Sequence, residues 1–480
     1  MRRAASSTLR ARAPWQVLDS FGRAVNASCR YAAPRTVDEL AATVARAHDE
    51  GIRVAFRGAG RSYGDASLNA GGLILDLQGL RKVHSWDPAA GVFECEPGVT
   101  IEGLWRRTIE DGYWPHVVPG TMRPTLGGCL AMNVHGKNNY RAGPFGEHVQ
   151  EIDLLTPRGE VLTCSPAQNA DVFHGAIGGL GMLGAITRVK LKMKKVECGN
   201  LRVDARVGRN LDEMFERFEE LIPHSDYCVG WVDCFAQGSG LGRGQIHAAN
   251  YLHGDEDPDP EGSLHVERQG LPPRILGFPR SRIWQVMQFF VNDLGVSMVN
   301  LAKYWASYFG DGDSYVQSHV AFAFLLDYVP DWRLAYGPGG FVQYQVFIPK
   351  ETAKATLREI LALGHRNGFP SYLGVLKRHR PDAFVLSHAV DGWSLAMDYK
   401  VTDGTRAALW KHFAELTQVV LGAGGRFYFA KDAVLTAEDA LRAYGTERFE
   451  RFAALKRRLD PDFALRSDLA DRVLGPAFAR

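Results

Sequence analysis

The stretch RGAGRSYGD, residues 57–65, decides how the rest of the chain reads. Gly58, Gly60 and Gly64 are spaced by small or polar residues directly after residues 53–56, a short apolar run that reads as a strand. Glycine leaves backbone amides uncovered and allows left-handed turns, so such a loop can form a nest that wraps a pyrophosphate. Packing of tight turns is the plainer reading of the same residues. A second bare segment, Thr125-Leu126-Gly127-Gly128, follows some 65 residues later and runs into Met132-Asn133-Val134-His135-Gly136-Lys137. Two such loops in a strand-rich region suit a long cofactor lying across it.

Working outward, residues 72–77 read as an apolar strand and residues 101–111 as a helix. Residues 152–156 and 161–163 form a hairpin around Pro157-Arg158-Gly159. Residues 186–193 alternate Val189, Leu191 and Met193 with Arg188, Lys190 and Lys192, the pattern of a strand with one wet face. That alternation disposes of a tempting motif. Gly179-Leu180-Gly181-Met182-Leu183-Gly184 matches GxGxxG, but the dinucleotide fingerprint must open a helix, and this one enters a strand.

Beyond about residue 196 the texture changes. Residues 211–221, 350–367, 405–421 and 437–459 read as helices, and 227–235, 341–348 and 394–401 as strands. Residues 238–273, rich in Gly, Pro, Asp and His without periodicity, are expected to form a mobile excursion such as a lid. The aromatic stretch 278–309 (Trp284, Phe289, Phe290, Trp305, Tyr308) reads either as a helix pair packed on its neighbours or as a shelter for a long lipid tail.

Composition bounds these readings. A chain of 480 residues implies two or three domains with substantial cores. Hydrophobic and charged contents of 46% and 23% exclude disordered and fibrous classes. Lys+Arg 56 against Asp+Glu 54 excludes nucleic-acid binding through bulk positive charge. Seven scattered cysteines without a CxxC pair fit a reducing compartment, and no metal site is expected. The basic start MRRAASSTLRARAP lacks the apolar core of a signal peptide. The nearest candidate for a membrane span, residues 283–305, is interrupted by Asp293 and Lys303. A cytoplasmic protein, or one peripheral to the inner membrane, is expected.

At its glycine loops the chain resembles the FAD-binding domain of the vanillyl-alcohol oxidase/p-cresol methylhydroxylase family, and more narrowly its decaprenylphosphoryl-β-D-ribose 2′-oxidase branch. The carrying segments are RGAGRSYGDASLNAGG (57–72), PGTMRPTLGGCLAMNVHGKNN (119–139), GEHVQEIDLLTPRGEV (146–161) and GGLGMLGAITRV (178–189). FVQYQVFIP (341–349), YLGVLK (372–377), DGWSLAMDY (391–399) and GGRFYFAKD (424–432) extend it through the second half.

The resemblance implies an α+β fold of the FAD-binding PCMH type. An FAD-binding domain would span residues 1–196, an antiparallel-sheet substrate domain 197–423, and a C-terminal return 424–480. It places the FAD pyrophosphate on Arg57, Gly58, Ala59, Gly60, Arg61, Ser62, Tyr63, Gly64 and Asp65. Gly120, Thr125, Leu126, Gly127, Gly128, Met132, Asn133, Val134 and His135 would line the flavin, with Ile186 and Tyr428 touching it. Relatives that tether the flavin use a His where this chain has Arg61, so non-covalent FAD is expected.

Lys431 matches the family's active-site lysine, placed to stabilise charge at the flavin or orient the substrate hydroxyl. Tyr63 and His135 stand near the reactive edge as proton relays. Gln343 and Gln345 share a strand face by period-two geometry, which suits sugar hydroxyls. With Lys137, Lys377 and Ser394 they make up the implied substrate side, Lys377 countering a phosphate. The branch's best-known members carry cysteine where this chain has Ala396 and asparagine where it has Ser394, so the substrate pocket is reshaped.

The implied activity is oxidation of the 2′-hydroxyl of a polyprenylphosphoryl pentose to a keto sugar, in arabinan and cell-wall biogenesis. A separate keto-reductase would follow, and quinone or oxygen would accept the electrons. Two other readings stand beside it, a soluble alditol or sugar-lactone oxidase and a flavin-binding protein without turnover.

Overall fold

The structure is a computed structural model that describes residues 8–9, 13–275 and 277–475; most of the basic N-terminal stretch read above for a signal peptide lies outside the described residues. Three sheets carry the architecture, mixing helices with largely antiparallel strands. In the first, four strands run in the order Trp15–Asp19, Asn26–Ala32, Leu73–Asp76, Val54–Arg57, the first pair antiparallel and the others parallel. Helix Val37–Asp49 makes the crossover, capped by Thr36, whose hydroxyl accepts from the Glu39 amide, and buries Leu40, Val44 and Ala47 at helical spacing. The loop 57–65 leaves the C-terminal end of strand Val54–Arg57.

The second sheet is antiparallel, in the order Val83–Asp87, Val92–Cys95, Ala185–Lys195, Val149–Leu155, Val161–Cys164, with Tyr113–Pro115 paired to the far end of Ala185–Lys195. Val189, Leu191 and Met193 face the core, as their alternation requires. The GLGMLG segment does enter this strand. Leu180 takes φ +62°, and the amides of Gly178 and Leu180 donate to the carbonyls of Leu130 and Ala131 at 2.8 and 3.0 Å. The motif is a brace under helix Leu126–Ala131.

The third sheet has eight strands, in the order Ser314–Ser318, Asn200–Gly208, Gly244–Tyr251, Tyr227–Val232, Leu373–His379, Gly392–Lys400, Phe341–Pro349, Arg426–Phe427. Strand Gly244–Tyr251 overturns the expectation of an irregular lid over 238–273. It pairs along its whole length with Asn200–Gly208, and Gln269, fully buried, then pins the following segment by donating to the Gly199 and Ser263 carbonyls at 2.8 and 2.9 Å. Gly244 and Ala248 flank Ile246 at the inward positions of GQIHAANY, and Ala249 is buried out of phase, so the alternation is hidden. The helix expected over 437–459 is two helices, Ala437–Tyr444 and Thr446–Leu459, broken where Gly445 takes φ +84°.

After Arg426–Phe427 the chain returns to the first sheet. The Tyr63 amide donates to the Ala430 carbonyl (2.8 Å), and Val54 exchanges backbone bonds with Ala464 and Arg466. One buried cation and one half-buried cation secure this return. Lys456 donates to the carbonyls of Met182 and Leu465 and to Asp460, and Arg472 joins Asp65 (2.7 and 2.9 Å) to Asp432 (2.7 Å). Arg472 therefore fixes the end of the glycine loop against the residue that follows Lys431.

Candidate active site

The two glycine loops meet. A Cβ on Gly58 would run into the Thr125 hydroxyl, and one on Gly64 into the Asp432 carbonyl, so both close approaches require glycine. Thr125 caps helix Leu126–Ala131 by accepting from the Gly128 amide. Among the described residues the amides of Ala59, Gly60, Arg61 and Ser62 have no acceptor within the chain. These amides open onto a cleft that encloses about 1920 Å³ including its mouth.

All but five of the sequence-assigned positions line this cleft. Gly64 and Asp65 stand behind the loop, Asp65 held by Arg472. Leu126 is a core residue with no exposure, and Asn133, at φ +42°, accepts from the Gly146 amide (3.0 Å). Ser394 is fully buried one layer down, where its hydroxyl meets His379 Nε2 at 2.7 Å and accepts from Gln345 Nε2 at 3.4 Å. It supports Gln345 from behind.

The opposite wall is one face of the eight-stranded sheet. Register aligns three rows across strands Leu373–His379, Gly392–Lys400 and Phe341–Pro349: Leu373, Asp398 and Gln343; Val375, Ala396 and Gln345; Lys377, Ser394 and Phe347. Ala396 is the central position, so only a methyl group occupies the middle of the wall. The Gln343 amide nitrogen donates to Asp398 Oδ1, and the Gln345 amide nitrogen donates to His135 Nε2 (3.0 Å). Both glutamines are thereby fixed in orientation by their nitrogens.

Lys431 and Tyr63 converge from the return segment and the glycine loop, with Lys431 Nζ 3.5 Å from the centroid of the Tyr63 ring. Burial pushes Lys431 down to about 7, against the opposing pull of Asp398 and with help from Lys377. Burial likewise pushes the Asp398 carboxyl up to about 6; its Oδ2 has no hydrogen-bond partner. Lys377 falls to about 8 through burial alone, and Lys137 to about 7 through burial and the charge of Lys377. Lys137 donates to the Phe322 carbonyl and lies over the Phe322 ring.

Beneath the wall, His135, His379 and His388 cluster with Phe347 and Tyr428, ring centroids 4.3 to 6.3 Å apart along the contacts. Burial, with Lys377 next, holds His135 and His379 far below the usual 6.5, and burial holds His388 at about 3. The three rings are neutral. Asp398, His379, His388 and Arg472 were not identified from the sequence. For Asp398 a signal existed, because it shares the period-two face of Ser394 and Ala396 in SLAMD and is the one acid in an otherwise apolar run.

The residues present fit FAD. The amide-lined loop and its glycine contacts leave a bare backbone cradle for a pyrophosphate. The Tyr428 hydroxyl, buried and without a partner, and the Arg61 Nε, likewise unpartnered, wait on polar groups of a ligand. Arg61 at the cleft cannot form a covalent flavin tether.

Comparison with known proteins agrees. The FAD binding domain family matches residues 30–165. Decaprenylphosphoryl-β-D-ribose oxidase of Mycolicibacterium smegmatis is 33% identical over 442 residues, 90% of this chain and 91% of that protein. An uncharacterised Streptomyces coelicolor protein is 26% identical over 383 residues, 78% of this chain and 100% of its own length. Cytokinin dehydrogenase 9 of Oryza sativa subsp. japonica is 33% identical over only 171 residues, 34% of this chain and 32% of that protein. The cofactor is FAD, the protein is an oxidoreductase, and the chain belongs to the decaprenylphosphoryl-β-D-ribose oxidase family of FAD-binding enzymes.

Proposed function

We propose that the chain oxidises the 2′-hydroxyl of a polyprenylphosphoryl pentose such as decaprenylphosphoryl-β-D-ribose to the keto sugar, in the supply of arabinose donors for the cell envelope. The observation that carries this reading is the pair Lys137 and Lys377. Both are depressed by burial at the cleft wall, and among the described residues neither has a carboxylate within ion-pair distance. Two half-buried ammonium groups lining the cleft without counter-ions suit a bound phosphate.

FAD, when bound, supplies the acceptor for the hydride that leaves the carbinol carbon. The chain's own residues do the rest. Gln343 and Gln345, anchored through their nitrogens, present their carbonyl oxygens to sugar hydroxyls. Lys431, held near neutrality, takes the hydroxyl proton at Nζ, and its new charge is met by the Tyr63 ring and Asp398. His135 serves as an orienting group, because its Nε2 accepts from Gln345 and its ring resists protonation. A quinone or oxygen would reoxidise the enzyme, and a separate reductase would complete an epimerisation.

Anaerobic titration of the holoenzyme with polyprenylphosphoryl ribose tests this directly. One equivalent should bleach the flavin absorption band. Bleaching by free alditols or sugar lactones, with none by the phospholipid-linked sugar, would replace this reading with the soluble-oxidase one.

A further inference from the structure

Helix Asp293–Phe309 is amphipathic in the wrong sense for a protein in water. Its buried positions are Gly295, Asn300, Tyr304 and Ser307. Asn300 donates to Asp233 (3.1 Å), and Tyr304 stacks under the Arg243 guanidinium, 4.3 Å from its ring centroid. Its apolar stripe, Leu294, Met298, Leu301, Trp305, Tyr308 and Phe309, recurs at helical spacing and points outward. Leu294 is 72% exposed and Phe309 83%. Of the eighteen large hydrophobic side chains exposed among the described residues, eleven lie within residues 278–309. Scattered exposed hydrophobics need no cause, but this concentration marks a surface that is covered in use.

Charge and position identify the covering partner. Residues 274–309 carry Arg274, Arg280 and Arg282, with Lys303 turned onto the Trp231 ring (4.1 Å), against the single acid Asp293, whose carboxylate already accepts from the Tyr372 hydroxyl (2.8 Å). An apolar stripe with Trp and Tyr, flanked by a cationic excess, is what an interfacial helix presents to lipid. Among the described residues no helix is long and apolar enough to cross a membrane, so this one would lie in the plane. The segment leading into it packs behind the cleft. Met287, which ends helix Ile283–Met287, and Val291 lie in one cluster with Phe341 and with Tyr63, which lines the cleft, and Lys400 donates to the Val291 carbonyl (2.7 Å). Near the cleft mouth, Leu325 is 50% exposed and lines the cavity with Leu326.

We infer that the helix pair Ile283–Met287 and Asp293–Phe309 is a docking face for the surface of an anionic lipid bilayer, which seats the cleft mouth against the membrane. The inference stands on the exposed face itself; the lipid-linked substrate proposed above only explains why such a face adjoins the cleft. The test is flotation of the FAD-loaded protein with vesicles of phosphatidylcholine and phosphatidylglycerol. The wild type should float, and Trp305 fluorescence should be quenched by brominated lipid. The double variant Phe289→Asp/Phe309→Asp should lose at least about 30-fold in vesicle affinity while keeping its flavin content.

Failure of the wild type to float would overturn the inference, as would equal flotation of the double variant. A concentration-dependent dimer that the double variant dissociates, with no flotation of either form, would assign the face to a second copy instead. Flotation is read without turnover. A protein that floats but is not bleached by polyprenylphosphoryl ribose would therefore refute the substrate reading alone.

Discussion

The two walls of the cleft are built from opposite materials. The cradle wall, residues 57–65 and 125–128, works by omission: glycines remove side chains so that backbone amides are bare and two loops can touch. The sheet wall, with the return segment beside it, works by insertion: the sheet places Lys377 and Asp398 and the return segment Lys431, with a layer of neutral histidines, where water is largely excluded. The difference teaches where each wall is vulnerable. The cradle should fail when an atom is added, and the sheet wall when a charge is taken away.

The largest effect expected is on the sheet wall. Lys431→Met keeps the length and apolar stem of the side chain but removes the group proposed to take the proton. It should lower kcat about 10³-fold, within the usual range for a positioned acid–base group, with FAD content unchanged. Rapid-reaction measurement of flavin reduction under anaerobic conditions reads the step directly. A reduction rate within a few-fold of wild type would remove Lys431 from the chemistry.

The cradle is broken by the smallest possible addition. Gly58→Ala puts a methyl group against the Thr125 hydroxyl, and overpacking of that kind costs about 1–3 kcal/mol, or roughly 5- to 150-fold in FAD affinity. Thr125→Ala makes room at the same place. The double variant Gly58→Ala/Thr125→Ala should therefore bind FAD more tightly than Gly58→Ala alone, as followed by isothermal titration into apoprotein. A double variant no better than the single one would show that the two loops do not share one contact.

A subtler change tests the electrostatics of the sheet wall. Asp398 is the carboxylate that opposes the effect of burial on Lys431, so its charge raises the lysine. Asp398→Asn removes that support and should lower Lys431 further. The limb of the kcat/KM profile assigned to Lys431, near pH 7, should move to lower pH by about one unit. A profile superimposable on wild type would mean that the two groups are not coupled through the cleft.

The same contrast explains what could be read from the sequence. Glycine spacing is written in one short segment, so RGAGRSYGD and TLGG revealed the cradle, and the alternation after GLGMLG excluded the dinucleotide fold. Gln343 and Gln345 were legible because period two puts them on one face. Arg472 was not, since its partners Asp65 and Asp432 are distant in sequence and only the return of the chain brings them together. His379 and His388 look ordinary in sequence, and their significance comes from burial around Phe347. Strand Gly244–Tyr251 was hidden because Ile246 is the one large side chain on its inward face, between Gly244 and Ala248. The outward stripe of helix Asp293–Phe309 has a helical period, but the sequence alone does not say which face is wet.

The smallest effect should separate the walls by pH. His388 is buried among Phe347, His135 and Tyr428, and its folded value of about 3 lies below the usual 6.5 because burial penalises the charged ring. Between those limits the unfolded chain binds a proton that the native protein refuses, so stability falls as pH drops below 6.5. Each such histidine contributes up to about 1.4 kcal/mol per pH unit. Asp398 acts in the opposite sense. Its carboxyl, raised by burial to about 6, takes up a proton in the native state before the unfolded chain does and partly offsets the loss. A single substitution isolates one contribution. His388→Gln keeps a polar side chain but cannot titrate, so the slope of stability against pH between 6 and 5 should become shallower by nearly one proton. Gly58→Ala, altering the wall that holds no such group, should leave that slope unchanged. Urea unfolding at each pH measures both. An unchanged slope in His388→Gln would mean that the native protein already carries a charged ring there, and the neutral layer beneath the sheet wall would have to be redrawn.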